Sequence, residues 1–255
     1  MRITTVIITY NEGHNIEKCL DSVCSFSDEV IIVDSFSTDD TREKALKYNN
    51  VRFVERAFDD YISQKNYANN LTQAEYIFSI DADEWCSEAM AESLKNSKNE
   101  LPELMSFRRK NYYCGRIINY GTWNPDVKIR LWKKELAHWG GTIPHEHLVY
   151  EPSNTVIHSD FILYHNAYLT ISSHFNKSLK YARMASRHHL KDKSFFTLCI
   201  KMLMSPIVKF FKGFVLKMGV LNGLYGWILE FIVSFETFYK YYLALKYKIN
   251  KSWMP

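Results

Sequence analysis

The 255-residue chain has no Cys-x-x-Cys pair, no internal repeat, no low-complexity stretch and no long uncharged apolar run. Each absence removes a class. The five cysteines, Cys19, Cys24, Cys86, Cys114 and Cys199, are odd in number and scattered, so they read as reduced thiols rather than a disulfide framework or a zinc knuckle. The opening Met1-Arg2-Ile3-Thr4-Thr5-Val6-Ile7-Ile8 is too short and too β-branched for a signal peptide's apolar region, and the expectation is a cytoplasmic chain. Met218 to Phe235 holds one charge, Glu230, but Asn222 and three glycines interrupt it, which makes it short and polar for a spanning helix.

Acid is scarce in one place only. From Lys177 to Lys217 there are ten Lys/Arg against the single acid Asp192, a local charge of +9, while the remainder carries −5. That basic, aromatic-rich segment lacks any nucleic-acid-binding motif. Followed by the interrupted apolar stretch, it reads as amphipathic helices on an anionic membrane surface, with a helical hairpin packed on the core or in a dimer as the bland alternative.

What is present is alternation. Thr4 to Thr9, Glu29 to Val33, Val51 to Val54 and Tyr76 to Ile80 are β-branched, nearly continuous apolar runs, as suits strands buried on both faces. Between them Ile16, Leu20 and Val23 recur at helical spacing, and Thr38 to Tyr48 and Ile62 to Leu71 read as two further helices. The predicted order is βαβαβαβ, an α/β fold with a Rossmann-like mixed, mainly parallel sheet flanked by helices. Looser, aromatic-rich strands follow at Met105 to Arg108, Lys128 to Trp132 and Val156 to Leu163, and the chain from about Thr170 reads as a helical C-terminal appendage. The predicted division is 1–168, with a nucleotide-binding half at 1–99 and an acceptor-side half at 100–168, then 169–255.

In such sheets ligands bind beyond the carboxyl ends of the strands. Those ends read Tyr10-Asn11-Glu12, Asp34-Ser35-Phe36-Ser37-Thr38-Asp39 and Asp81-Ala82-Asp83-Glu84. Asn11 or Ser37 as a helix N-cap, or Asp34 as a turn starter, explains each singly. Several carboxylates on one rim need a cation or donors between them. In an extended segment residues i and i+2 face the same way, so Asp81 and Asp83 are expected to point together and hold Mg²⁺ or Mn²⁺ against a nucleotide diphosphate. A carboxylate or histidine near the acceptor hydroxyl would take its proton as that oxygen attacks, and Gly140-Gly141 leads through a turn into a His145-Glu146 pair.

The motifs Val6-Ile7-Ile8-Thr9-Tyr10-Asn11-Glu12, Glu29 to Ser35, Ser37-Thr38-Asp39 and Ile80 to Glu84 resemble those of the family 2 glycosyltransferases, which have the GT-A fold. Gln64-Lys65-Asn66, Arg130-Leu131-Trp132, His145-Glu146 and Gly219 to Gly226 are similar to the branch containing lipopolysaccharide core β-1,4-glucosyltransferases. The resemblance implies nucleotide contacts from Thr9, Tyr10, Asn11, Glu12, Asp34, Ser35, Ser37, Asp39, Gln64, Lys65, Asp81, Ala82 and Arg130. It implies metal contacts from Asp83, Asp81 and His145, with Glu146 as base and Asp126 or Glu84 as substitutes. Phe36 and Asp40 stand where the family usually has glycine, and Asn222 where it often has Asp.

The implied activity is inverting transfer of a hexose from a nucleotide diphosphate sugar, UDP-linked by expectation, to a cell-envelope glycan or glycolipid at the inner face of a bacterial plasma membrane. Two rivals share a nucleotide-binding α/β fold. A sugar-nucleotide nucleotidyltransferase would open with a glycine-rich loop and a basic residue, whereas Thr9 to Gly13 has one glycine and an acid. A non-catalytic nucleotide-binding module would not need the carboxylates.

Overall fold

The computed structural model describes residues 1–98, 100–142, 145–188 and 194–250. The β-branched runs form β1 (Ile3–Thr9), β2 (Glu29–Asp34), β3 (Val51–Glu55) and β4 (Tyr76–Ser79), separated by α1 (Ile16–Val23), α2 (Thr41–Ala45) and α3 (Tyr61–Leu71). Then come β5 (Glu84–Cys86), α4 (Glu88–Asn96), β6 (Leu104–Tyr113), β7 (Arg116–Ile118), β8 (Val127–Lys133), β9 (Ala137–Thr142), β10 (His145–Tyr150) and β11 (Val156–Tyr168). The chain ends in α5 (Ile171–His188), α6 (Phe195–Phe211) and α7 (Gly223–Asn250). Strand β5 and helix α4 were not anticipated; three residues are too few for a periodicity to show.

The sheet is mixed, in the order β3-β2-β1-β4-β8-β6-β11-β5 with β7 beside β6, and β9–β10 form a separate antiparallel pair. Its parallel block is the four N-terminal strands. Residues of β1 alternate between two cores. Ile3 and Ile7 pack with Ile16, Leu20 and Val23 of α1, and Val6 packs on the opposite face with Ala68, Trp132 and Trp139. That two-sided burial, about 1.5–3 kcal/mol for each large side chain, is why β1, β2 and β4 read as apolar runs, whereas β3 is a half-exposed edge strand. The register Thr9↔Asp34 sets the ends of β1 and β2 side by side, so the loops that follow them share one edge.

The chain divides into two compact units that interleave. The first is Met1–Lys110 with Asp126–His165, and the second is Asn111–Pro125 with Asn166–Pro255. The segment 111–125 thus groups with the C-terminal helices. In the second unit Tyr113 and Ile118 share a core with Leu229 and Val233, and Leu198 of α6 meets Tyr241, Ala244 and Leu245 of α7. Glu230, buried, accepts from Thr122 N (2.6 Å) and Thr122 Oγ1 (2.6 Å). Gly213 is required beside it, since a Cβ there would lie 1.9 Å from Glu230 Oε2. Gly226 likewise abuts the Gly219 carbonyl, where a Cβ would come within 2.1 Å. The stretch 218–235 is therefore divided: Leu229, Ile232 and Val233 are buried in this unit, and only part of it faces outward.

Candidate active site

The loops after β1 and β2 are stitched together. Asn11 N donates to Ser37 Oγ (2.8 Å), Thr38 N to Asn11 Oδ1 (2.8 Å), Glu12 N to Thr41 Oγ1 (2.9 Å) and Gly13 N to Asp39 Oδ2 (3.0 Å). Asn11 and Ser37 thus bond loop to loop; the N-caps of α1 and α2 are Asn15 and Asp40. Asp34, 1% exposed, accepts from Thr9 Oγ1 (2.7 Å), Ser37 N (2.7 Å) and Ser37 Oγ (2.6 Å). Phe36, where the family usually has glycine, has φ of 61°, a left-handed conformation that costs an L-residue about 1–2 kcal/mol. It and Tyr10 leave two aromatic rings exposed on this rim.

The Asp81-Ala82-Asp83 triplet is not extended. Glu84 N donates back to Asp81 O (2.9 Å), so the triplet lies in a tight turn between β4 and β5. Strand alternation is therefore not what places the two carboxylates, and their environments differ. Asp81 Oδ1 meets Lys65 Nζ (2.8 Å) and Oδ2 meets Arg130 Nη2 (2.7 Å). Desolvation opposes its ionisation, but Arg130 and then Lys65 outweigh it and hold the carboxyl well below the usual range. Arg130 also pairs with Glu84, which meets Arg109 (2.8 Å), which meets Asp126 (2.7 Å), which lies 3.5 Å from Lys128. The result is a ladder of alternating sign. Asp83 belongs to none of its rungs; its Oδ2 lies 3.4 Å from His165 Nε2.

Three consecutive residues of α3 support this arrangement. The helix is capped by Asp60, which accepts from Ser63 N. Gln64 Nε2 donates to Ser35 Oγ (3.2 Å), Lys65 reaches Asp81, and Asn66 exchanges two hydrogen bonds with the Trp139 backbone (2.8 and 2.9 Å). Lys65 Nζ also sits 4.3 Å from the centroid of the Trp139 ring. Trp139 pairs with Leu148 across the β9–β10 hairpin, where Glu146 opposes Gly141. Glu146 Oε2 and Arg130 Nε are buried polar atoms with no hydrogen-bond partner among the described residues. The side chain of His145 lies outside the described residues.

The residues predicted to touch a nucleotide thus separate into two sets. Tyr10, Asn11, Glu12, Ser35, Ser37 and Asp39 reach the surface of the rim. Thr9, Asp34, Gln64, Lys65 and Arg130 are buried and bond to the protein, half-buried Asp81 is held between Lys65 and Arg130, and Ala82 packs in the core with Ile80. Their bonds hold the loops and the acidic turn in shape. Glu84, fully buried against two arginines, is ill placed as a base, and Asp126 is held by Arg109 and Lys128. His165 was missed because β11 runs on to Tyr168, past its predicted end at Leu163; in register His165 faces Glu84. Arg109 was missed because its partners are 17 and 25 residues away.

A parallel block with stitched acidic loops beyond its carboxyl ends defines an α/β protein of the kind whose ligands bind at that edge of the sheet. Residues 4–151 match the model of Glycosyl transferase family 2, and the chain belongs to that family. An uncharacterized glycosyltransferase of Rickettsia typhi is 26% identical over 254 residues, 93% of this chain and 84% of that protein. The lipopolysaccharide core biosynthesis glycosyltransferase LpsC of Rhizobium meliloti is 31% identical over 136 residues, 50% of this chain and 48% of its own length. Among solved structures, S. aureus TarS 1-349 in complex with UDP aligns over 100% of this chain and 93% of its own at 14% identity, with a TM-score of 0.49.

Proposed function

We propose that this glycosyltransferase is an inverting enzyme that moves a hexose from a UDP-linked donor to a cell-envelope glycan or glycolipid of the lipopolysaccharide core class. The observation that carries the reading is the division of charge at the triplet: Asp81 and Glu84 are neutralised by Lys65, Arg130 and Arg109, while Asp83 lies off the ladder beside His165. A carboxylate with an imidazole fits Mg²⁺ or Mn²⁺ that takes its remaining ligands from a diphosphate and water. Asp83 and His165 would hold that ion, which when bound supplies charge stabilisation for the departing diphosphate.

The chain's own groups do the rest. The rim of Tyr10, Ser35 and Ser37 receives the nucleoside, held in shape by Asp34 below it. Glu146 accepts the proton of the acceptor hydroxyl as its oxygen bonds the anomeric carbon; the bond to the diphosphate breaks, and the nucleoside diphosphate leaves with the electron pair. A buried carboxylate oxygen with no donor among the described residues, as at Glu146 Oε2, supports that assignment. The LpsC likeness supports the acceptor class, and the basic, aromatic C-terminal helices support work at the inner face of a plasma membrane.

Asp83→Asn is expected to lower Mn²⁺-dependent turnover of UDP-hexose at least about 100-fold with the thermal unfolding midpoint unchanged. Retained turnover with retained metal dependence would remove Asp83 from the site. Glu146→Gln is expected to abolish transfer while UDP affinity, measured by calorimetry, stays within about twofold.

A further inference from the structure

The segment from Ser194 to Leu229 contains four lysines and no Asp or Glu. Within it α6 is capped by Ser194, which accepts from Thr197 N, and seats Leu198 on Tyr241 and Leu245 of α7. Its other side is open. Phe196, Ile200, Leu203, Ile207 and Phe211 recur every three or four residues, and all are exposed, Phe196 to 73% and Ile207 to 64%. At about 100° per residue they fall within one stripe, bordered on one side by the exposed Met204 and Val208 and, beyond these, by Lys201 and Lys212. Leu216, Leu221, Leu224 and Trp227 continue the exposed apolar series along the chain into α7. No helix among the described residues is long and apolar enough to cross a membrane.

We propose that this face of α6 is a membrane-docking surface that lies flat in the headgroup layer of an anionic bilayer, its phenylalanines, leucine and isoleucines entering the acyl boundary and its margin lysines meeting phosphate. The inference rests on the reading of the chain as an enzyme of a membrane-linked acceptor and deepens it by naming the surface. Charge argues for lipid over a second copy of the chain. Two copies joined through this face would set Lys201 and Lys212 against further lysines, with no acid in the segment to offset them. Anionic headgroups supply that missing charge, and long lysine stems let the ammonium reach them while the apolar side chains insert.

The test is flotation of the full chain with vesicles of phosphatidylglycerol and phosphatidylcholine, against phosphatidylcholine alone. The expected result is flotation with the anionic vesicles, and a loss of about tenfold or more in partitioning for the double variant L203E/I207E, whose sites are exposed and whose unfolding midpoint should not move. The pair K201Q/K212Q should lose most of the preference for anionic vesicles and keep the residual binding to neutral ones. No flotation overturns the proposal, as does unchanged flotation of L203E/I207E. A wild-type dimer that ignores vesicles and becomes monomeric in L203E/I207E also overturns it and assigns the face to a second copy. Vesicle binding needs neither donor nor acceptor. A chain that floats but transfers no sugar therefore keeps this surface and sinks the transferase reading, and one that transfers sugar to a soluble acceptor without floating does the reverse.

Discussion

Each unit buries a glutamate, and each keeps it by different means. Glu84, in the first, is fully buried against Arg109 and Arg130 and continues outward through Asp81 and Asp126. Glu230, in the second, is held by one backbone N–H and one hydroxyl of Thr122, in a niche that only glycine at 213 leaves open. An ion-paired carboxylate is part of a network whose other members become uncompensated when it goes; one held by neutral donors can lose its charge with little left stranded. The first arrangement organises charge around a turn that bears Asp83, which lies off the ladder beside His165. The second fastens a loop.

The isosteric change to glutamine separates the two directly. Glu84→Gln is expected to cost about 3–5 kcal/mol in urea unfolding, because two buried guanidinium groups lose their shared partner. If the loss is below about 1 kcal/mol, the ladder is not a unit and the comparison collapses.

Acid sharpens the contrast next. His174, buried against Tyr113, Trp123 and Tyr168, is pushed down to about 4 from an ordinary 6.5, by burial first and then by Lys177. The unfolded chain then binds the proton that the folded chain refuses between those two values, so stability falls as pH drops from about 6.5 toward 4, by up to about 3 kcal/mol. Thermal unfolding across that range should fall less steeply for His174→Gln than for the native chain; parallel curves would exclude a neutral buried histidine. The smallest effect is expected at Glu230→Gln, about 1 kcal/mol by urea unfolding, since a side-chain amide still offers Thr122 an acceptor and a donor. A loss equal to that of Glu84→Gln would erase the distinction.

The four parallel strands were legible because burial on both faces leaves an unbroken apolar run in β1 and β2, and α1 was legible from Ile16, Leu20 and Val23. The carboxylates were legible by their position at strand ends. Their geometry was not: alternation along an extended strand is a local rule, and the chain turns at Asp81 instead. The ladder was illegible for the same reason, since Arg130 meets residues 46 and 49 positions away. Phe36 could be seen to be bulky for its place; that the place demands a left-handed residue could not. Nor does a basic, apolar segment say which of its hydrophobic residues face outward, which depends on where α6 and α7 pack on each other.

Gln64, Lys65 and Asn66 have one more implication. Consecutive helical residues point about 100° apart, so this single turn of α3 reaches Ser35, Asp81 and Trp139 in three directions at once. It behaves like a key cut with three teeth. Deleting one residue at the start of α3 would rotate all three out of their slots together, uncoupling the rim of the β1 and β2 loops, the acidic turn and the β9–β10 hairpin in one stroke.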